Sequence, residues 1–242
     1  MGTVRNLPRF FFTSRDLNER SLELLQVGES FFIPDEEYRK LTRVLRLAKG
    51  DHFAALPNDG RLLVCELNGR EALIREEHYP QTELKRQIWI AQALPKGDKL
   101  ETIVRFGTQL GASGFIIFES DRSLVKWDIK KRTNRFERLG TIVREEAEVS
   151  FRTHLADLKW AENLDDLLLS HPNAIVLSEC ESEKNRLQSG MNANIILVAG
   201  PEGGWSPREL SIIGDRGCTL GPRVLRVEFA AAAALSALVI PN

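Results

Sequence analysis

The sequence predicts an α/β protein in which a small β-barrel precedes a larger domain built on a parallel sheet. Two observations lead to this prediction. Residues 1–80 read as short β segments with one helix, whereas residues 81–242 alternate apolar strands with helices. Between them, residues 79–82 (YPQT) combine turn-forming and polar residue types, and we place the domain boundary there.

Within residues 1–80, aromatic and aliphatic runs predict strands at 9–12, 30–33, 52–56 and 61–67. One helix interrupts these strands. Tyr38, Leu41, Val44 and Leu45 recur at helical spacing, and Asp35 is predicted to be the N-cap of that helix. This arrangement is typical of a small barrel with a single helix.

In residues 81–242, strands of the buried type are predicted at 87–94, 115–118, 174–177 and 195–199, with a short strand edge at 219–220. Helices are predicted at 96–110, 134–149, 207–216 and 228–239. Ser206 is expected to cap the third of them, with Pro207 at its first position. Strands and helices that alternate in this order form a parallel sheet covered by helices.

The composition is that of a globular protein without metal or membrane motifs. Hydrophobic residues make up 43% of the chain and the formal net charge is −1, so binding of nucleic acid would rest on a local basic patch. The cysteines and histidines lack the spacing of metal ligands, and no apolar run reaches the ~18 residues of a membrane helix. The N-terminus carries no targeting pattern. We therefore expect a cytoplasmic protein without metal or membrane partners.

The most informative local pattern is the strand, loop and helix at 195–206, IILVAGPEGGWS. A buried strand ends in a glycine-rich loop that opens a helix, and open α/β sheets bind ligands at the carboxyl ends of their strands. Glycines allow the backbone to approach a ligand closely. A purely structural turn would have the same pattern. The spacing of a Rossmann or P-loop fingerprint is absent from the sequence.

A second loop, LGPRVLRVE at 220–228, again follows a short apolar strand and precedes a helix. Together with GPEGG it resembles the SPOUT methyltransferases, and more narrowly the ribosomal small-subunit RNA methyltransferase E family, which makes N3-methyluridine in 16S rRNA. The resemblance covers almost the whole chain. Weaker matches follow the family's order at 9–11, 44–47, 50–51, 95–99, 110–111 and 121–123.

The resemblance implies a PUA-like RNA-binding barrel over 1–80 and a SPOUT methyltransferase domain with a C-terminal trefoil knot over 81–242. It also implies S-adenosylmethionine as cofactor, 16S rRNA or the small ribosomal subunit as partner, and a homodimer. Three loops of the knot would hold the cofactor. The corresponding residues are Leu177, Glu179, Val198, Gly200, Pro201, Gly203, Leu220, Gly221, Pro222 and Leu225.

The implied reaction removes the imide proton of uridine N3 and transfers a methyl group to that nitrogen. Arg226 would stabilise the negative charge that spreads over the base carbonyls. Its guanidinium is always charged and donates hydrogen bonds in a fixed geometry. Glu228 would accept the proton or orient Arg226. The alternative is that Arg226 and Glu228 form a structural ion pair at a helix start.

The sequence departs from the family pattern on the substrate side. Val227 and Phe229 stand where the family usually has threonines, and Val149 and Phe151 replace a glutamine and a glycine. Two other functions therefore stay open. One is a catalytically weakened RNA-binding or ribosome assembly factor with the knot fold, and the other is a SPOUT methyltransferase with another RNA target.

A local stripe of basic residues could contact RNA phosphates in this otherwise neutral chain. It runs from residue 122 to residue 144, and barrel residues would extend it. A solvated helix face would carry the same charges. The residues predicted to bind RNA are Arg9, Arg43, Arg46, Arg122, Lys126, Arg132 and Arg135.

Overall fold

A computed structural model of the chain describes residues 4–13, 22–179, 185–188 and 194–239. The chain forms two compact units. The first comprises Met1–Glu83 together with Ala147–Leu155, and the second comprises Leu84–Glu146 together with Ala156–Asn242. The segment 147–155 thus belongs to the first unit, although it is distant in sequence from the rest of that unit.

The first unit contains a mixed five-stranded sheet in the order β1-β3-β4-β5-β2. β1 pairs in parallel with β3, and the other neighbours are antiparallel. The strands are β1 (Arg9–Phe11), β2 (Ser30–Phe32), β3 (His52–Leu56), β4 (Leu62–Asn68) and β5 (Glu71–His78). β5 was not predicted, because only Ala72 and Ile74 of its residues are buried and its second half is charged and more exposed.

The helix of the first unit differs from the prediction. Helix α1 (Asp35–Arg39) has Pro34 at its N-cap position without a side-chain cap, so Asp35 is the first helical residue rather than the cap. A carboxylate there still faces the positive end of the helix dipole. A π turn, Lys40–Val44, follows. Because a π turn shifts the angular spacing of side chains, Val44 and Leu45 are exposed rather than part of the core.

The segment 147–155 is held within the first unit by packing and by ion pairing. Phe11 and Ala147 belong to one buried cluster on one side of the sheet. The buried guanidinium of Arg152 donates to the Glu83 carboxylate at 2.8 Å. Burial raises the pKa of Glu83, but the hydrogen bonds from Arg152 and nearby backbone groups outweigh it, and the pKa lies below its ordinary value. A separate, phenylalanine-rich cluster fills the remainder of this core.

The second unit confirms the predicted parallel sheet. Six strands lie in the order β11-β9-β10-β6-β7-β8, and all neighbours are parallel. The strands are β6 (Ile88–Ala93), β7 (Gly114–Phe118), β8 (Asp157–Ala161), β9 (Ile175–Leu177), β10 (Ile195–Ala199) and β11 (Gly217–Cys218). The strand edge expected at 219–220 is wrong, because Thr219 forms an isolated bridge with Arg186 instead.

The helices of this unit are α2 (Lys99–Gln109), most of α3 (Ile129–Val149), α4 (Leu164–Ser170), α5 (Pro207–Ile213) and α6 (Val227–Val239). The last residues of α3, 147–149, belong to the first unit. α2 begins three residues later than predicted, because Gly97 has a φ of +63° that a helix does not accept. α3 begins five residues earlier, where Asp128 Oδ1 accepts from the Lys131 amide at 2.7 Å. α5 ends at Ile213, followed by a 3₁₀ turn. α6 packs on α2, β6 and β10.

β8 and α4 were not predicted. β8 lies at the sheet edge and its sequence, DLKWA, contains no run of buried residues. α4 is short, although Asn163 caps it by accepting from the Asp166 amide. Within the described ranges no helix is long and apolar enough to cross a membrane. The same residues contain no cluster of histidine, cysteine and acidic side chains suited to a metal ion.

Candidate functional site

The carboxyl ends of β9, β10 and β11 open into one cavity of about 420 Å³ in the second unit, which we call the main cavity. The last residues of these strands, Leu177, Ala199 and Cys218, all line it. Its walls are loops at 178–179, 200–205 and 219–226. This is the edge at which parallel sheets bind ligands, since strand ends there leave a crevice between diverging loops.

The loop after β10 is shaped by close packing around Trp205. A Cβ at Gly200 would lie 3.1 Å from the indole, so a side chain at this position would crowd the ring. The Trp205 ring stacks on Phe118, and its Nε1–H donates to the Leu177 carbonyl at 2.9 Å. Gly204 has a φ of +65°, which also favours glycine. Trp205 therefore ties the β10 loop to the end of β9.

A buried glutamate fixes the start of α5 beneath that loop. Ser206 and Glu209 form a reciprocal capping box, as predicted for the Ser206 cap. Glu209 is fully buried and also accepts from Ser120 Oγ at 2.8 Å and from the Asp121 amide at 3.0 Å. These bonds join the loop after β7 to the helix that follows the glycine-rich loop.

An ion pair on the surface reinforces the same junction. Asp121 accepts from Arg208 through both carboxylate oxygens, at 3.0 and 2.8 Å, and from Ser206 Oγ at 2.5 Å. The hydrogen bonds from Arg208 and Ser206 lower the pKa of Asp121 from 3.8 to about 2. Asp121 is thus a permanent anion at neutral pH that holds the two loops together.

Two cations lie at the rim of the main cavity. Arg122 Nη1 donates to the Gly203 carbonyl at 2.8 Å. Lys99 Nζ lies 2.8 Å from Glu202 Oε1, which also accepts from the Lys96 amide. Burial raises the pKa of Glu202, but the bonds from Lys99 and the backbone outweigh it and the pKa is lowered. The contacts of Lys99 with Glu202 and of Arg122 with the Gly203 carbonyl therefore hold the rim of the main cavity on the side of α2 and β7.

The loop after β11 presents the arginine predicted to act on the substrate. Arg223 and Arg226 are exposed and line the main cavity, while Val227 is buried against it. Val227 offers an apolar surface to the cavity. Beside the predicted cofactor residues, the lining of the main cavity includes side chains that the sequence did not single out. They are Lys99, Ser178, Glu202, Trp205, Thr219, Arg223 and Ala230.

Glu228 lies outside the lining of the main cavity. Its Oε2 atom is buried without a hydrogen-bond partner. Among the described residues no ion pair joins it to Arg226, so the structural pair considered from the sequence is not formed. A buried acceptor without a partner costs about 1–3 kcal/mol, and native proteins retain few such atoms. Glu228 is thus an unsatisfied carboxylate one residue beyond the cavity wall.

Six of the ten residues predicted to hold a cofactor line the main cavity. They are Leu177, Glu179, Gly200, Pro201, Leu220 and Leu225. The other four lie outside the lining: Val198, Gly203, Gly221 and Pro222. Val198 is fully buried inside β10, and Gly203 contacts Arg122 through its carbonyl. The loops after β10 and β11 therefore line the main cavity with residues from both of their ends.

The predicted RNA-binding residues occupy different settings. Arg122 lies at the main cavity, and Arg43, Arg46 and Lys126 are exposed. Arg9 donates to the carbonyls of residues 148 and 149 and lies 4.9 Å from the Phe151 ring. Burial lowers the pKa of Arg9, partly offset by the nearby Glu148. Arg9 is therefore engaged inside the first unit.

Two further arginines of the stripe lie on α3 and have acidic partners. Arg132 pairs with Glu162 at 3.2 Å and lies over the Trp160 ring, 5.0 Å from its centroid. Arg135 lies 3.7 Å from Glu101, which also pairs with Arg138. Glu101 and Glu162, which lie outside α3, thus neutralise part of the positive charge of this helix.

Comparison with known proteins agrees with this arrangement. Residues 82–239 match the family model described as an RNA methyltransferase domain. The chain is 34% identical over 239 residues to the ribosomal RNA small subunit methyltransferase E of Bacillus subtilis, a match that covers 91% of this chain and 93% of the relative.

Two solved structures share the fold at lower identity. One is a methyltransferase from Legionella pneumophila in complex with S-adenosylmethionine, with a TM-score of 0.82, 22% identity and 96% of each chain covered. The other is the ribosomal RNA small subunit methyltransferase E of Neisseria gonorrhoeae bound to S-adenosylmethionine, with a TM-score of 0.79, 24% identity and the same coverage. With the match over residues 82–239 and the Bacillus subtilis relative, these findings show that the chain belongs to the ribosomal RNA small subunit methyltransferase E family of RNA methyltransferases.

Proposed function

We propose that this chain is an S-adenosylmethionine-dependent methyltransferase that modifies N3 of a uridine in the 16S rRNA of the small ribosomal subunit. The main cavity at the carboxyl edge of the parallel sheet, with Arg226 on its wall, carries the proposal. Family membership supports the reaction class. The names of the relatives, which refer to small-subunit rRNA and to bound S-adenosylmethionine, support the substrate and the cofactor.

The residues of the main cavity fit this cofactor. Leu177, Leu220 and Leu225 offer apolar surface for an adenine, and Glu179 offers a carboxylate for ribose hydroxyls. Glycine at position 200 makes room for the Trp205 indole, which lines the cavity as well. A cation at the rim, Arg122 or Lys99, would pair with the amino-acid carboxylate. When bound, S-adenosylmethionine supplies an electrophilic methyl group on a sulfonium.

The residues of the chain would orient the target uracil and stabilise the negative charge that forms on it when N3 loses its proton. Arg226 would donate to a base carbonyl that becomes negative as N3 loses its proton. Glu228 would accept that proton, which gives its unsatisfied Oε2 a partner in the assembled complex. Because Glu228 lies outside the cavity lining, this role requires a water or a change of side-chain rotamer to reach N3.

We further propose that the crossing of chain segments around β9, β10 and β11 is a trefoil knot, and that the first unit is a PUA-like RNA-binding barrel. The strand order, in which β11 lies beyond β9, supports the first proposal. The mixed sheet with one parallel pair supports the second. A homodimer and a cytoplasmic location complete the proposal. Exposed apolar side chains at Val224 and Phe229 support a contact with a second copy.

RNA would contact the basic residues predicted from the sequence, some of which belong to each unit. Arg43, Arg46 and Lys126 are the best supported, since they are exposed and form no ion pair in the described part of the chain. Arg122 would act at the cavity rim. Arg132 and Arg135 would exchange their acidic partners for phosphates, and Arg9 would act mainly by holding residues 148 and 149.

The second candidate function is a catalytically weakened RNA-binding or assembly factor, and Val227 and Phe229 favour it. The buried Val227 lines the main cavity without a hydroxyl to offer to a substrate. A related methyltransferase with another RNA target is the third possibility. Mapping modified nucleosides in a strain that lacks this chain separates the three, because only the first predicts loss of N3-methyluridine from 16S rRNA.

The substitution Arg226→Ala tests the proposed mechanism. We expect methyl transfer to small subunits to fall about 10²–10³-fold, the effect of removing one donor to a developing negative charge. Affinity for S-adenosylmethionine, measured by calorimetry, should stay unchanged, because the interaction forms only in the transition state. Arg223→Ala, at a neighbouring exposed arginine of the same wall, is the control. Equal loss of cofactor affinity and turnover would assign Arg226 to the cofactor instead.

A further inference from the structure

A second cavity of about 170 Å³ lies beside the main cavity in the second unit, and we call it the Trp127 cleft. Its apolar lining includes Trp127, Val125 and Leu100, and its charged lining includes Lys131 and Arg138. Its mixture of one aromatic ring and several cations is the composition that binds single-stranded nucleic acid.

The aromatic side of the cleft is rigidly built. The Trp127 indole stacks on Trp160 with a centroid distance of 6.1 Å and an interplanar angle of 20°. Its backbone amide donates to Glu119 Oε1 at 3.1 Å. Trp160 supports one side of the Trp127 ring, and the cleft lies against the ring as well. A base that entered the cleft would meet a preformed aromatic surface, which lowers the entropic cost of stacking.

The charged side of the cleft carries a positive excess. Lys131, Arg135 and Arg138 line it together with one carboxylate, Glu101. Glu101 lies 3.7 Å from Arg135 and 3.3 Å from Arg138, so it partly neutralises both. Lys131 forms no ion pair within the described ranges. Arg135 also lies 3.9 Å from Asp98. A phosphate would therefore find one uncommitted ammonium at Lys131 and a guanidinium at Arg138 that shares its counter-ion with Arg135.

The position of the cleft links it to the main cavity. Lys99 lines the main cavity, while the next two residues of α2, Leu100 and Glu101, line the cleft. The loop after β7 does the same, with Arg122 at the main cavity and Val125 at the cleft. Both cavities thus flank the first turn of α2 and one loop. A single strand whose target base enters the main cavity can place an adjacent nucleotide in the cleft.

We propose that the Trp127 cleft binds a nucleotide next to the target base, stacking its base on Trp127 and holding its phosphate with Lys131 and Arg138. This rests on the proposed function, since it takes RNA as the substrate. The cleft would fix the register of the strand while the main cavity performs the reaction. It adds a subsite for a flanking nucleotide to the site for the cofactor and the target base.

The substitutions Trp127→Leu and Lys131→Ala test the cleft, with Lys130→Ala as the matched control. Lys130 and Lys131 are adjacent and exposed on α3, but only Lys131 lines the cleft. The substrate is small subunits isolated from a strain that lacks this chain. We expect Trp127→Leu to raise KM for the subunits about 10-fold or more, because the base loses its aromatic stacking partner. Lys131→Ala should lower the salt slope of RNA binding by about 1, and Lys130→Ala should change neither.

Cofactor affinity and kcat at saturating substrate should stay at the wild-type value in all three variants. Melting curves and sedimentation of the variants check that the fold and the assembly are intact. A direct readout independent of activity is photocrosslinking of the wild-type protein to a small-subunit RNA transcript that contains 5-iodouridine. We expect Trp127 among the crosslinked residues.

The cleft proposal fails if Trp127→Leu and Lys131→Ala bind RNA like the wild type, or if no crosslink reaches Trp127. It also fails if Trp127→Leu changes the sedimenting mass, which would make the cleft a contact between copies of the chain. Failure of the proposed function looks different. The wild-type protein would then not methylate small subunits, while RNA binding and crosslinking would still report on the cleft.

Discussion

At the scale of single residues, Trp205 decides the shape of the main cavity more than the glycines around it. The sequence pattern drew attention to GPEGG, but the glycines act largely by making room for the indole and by allowing one left-handed backbone position. The indole N–H then bridges two loops that are far apart in sequence. No local pattern predicts that bridge, because its acceptor is a backbone carbonyl at residue 177.

The substitution Trp205→Phe should destabilise the protein and weaken cofactor binding. The phenyl ring keeps the contact with Phe118 but loses the hydrogen bond to the Leu177 carbonyl, at a cost of about 0.5–1.5 kcal/mol. Urea unfolding and calorimetry with S-adenosylmethionine measure the two effects. Trp160→Phe is the control, since the Trp160 Nε1 atom is buried without a partner and loses no bond. Equal destabilisation of both variants would contradict the role of the Trp205 hydrogen bond.

Asp121 should make stability depend on pH in the acid range. Its pKa is lowered from 3.8 to about 2 by Arg208 and Ser206, so the folded state favours the anion. The stabilisation is therefore present above about pH 4 and is lost as the pH falls through about 2. We expect the difference in melting temperature between the wild type and Asp121→Asn to shrink over that range. A difference that stays constant from pH 5 to pH 2, roughly the window set by linkage, would refute this account.

At the scale of elements, the sequence predicted those strands and helices whose residues form a continuous buried run or one clear buried face. The apolar runs of β6, β7 and β10 were confirmed, and so was the Ser206 cap of α5. β8 escaped prediction because an edge strand with one covered side needs few apolar residues. The starts of α2 and α3 were wrong by several residues, since a glycine conformation and an aspartate cap decided them.

Two glycines in helices should respond to alanine in opposite directions. A Cβ at Gly107 in α2 would lie 2.6 Å from the Phe115 ring and 3.0 Å from Ile90, so Gly107→Ala should destabilise by about 1–3 kcal/mol through overpacking. Gly140 in α3 has no atom within 4 Å of that position, and Gly140→Ala should stabilise by about 0.8–1 kcal/mol through helix propensity. Thermal and urea unfolding of both variants measure the two changes. If both substitutions changed the free energy of unfolding in the same direction, the contacts at the two Cβ positions would not explain the effect.

At the scale of the whole molecule, the parallel sheet is what turns separate loops into one site. β9, β10 and β11 are adjacent in the sheet although residues 177, 199 and 218 are distant in sequence. Their carboxyl ends meet at the main cavity, and the loop after β7 is joined to it through Glu209 and Asp121. The part of the chain that matches the RNA methyltransferase domain, residues 82–239, contains all of these strands and loops.

Binding of S-adenosylmethionine should stabilise the protein, since a ligand that binds only the folded state shifts the unfolding equilibrium. At a concentration 100 times the Kd we expect about 2.7 kcal/mol. Differential scanning fluorimetry over a range of cofactor concentrations tests this, with ATP as the control ligand because it shares the adenosine but carries a triphosphate in place of the methionine. A melting temperature that stays constant as the concentration of S-adenosylmethionine rises would argue against a cofactor site.

By itself the sequence determined the fold class, the two motifs at the sheet edge and the family they resemble. These features depend on local periodicity and on residue types at short spacing, which are visible along the chain. Tertiary structure alone decided that Trp205 and Glu209 bind the loops together, that the Glu228 Oε2 atom is buried without a partner, and that Trp127 lines a second cleft. Such features depend on contacts between residues distant in sequence, and no short pattern specifies where those contacts form.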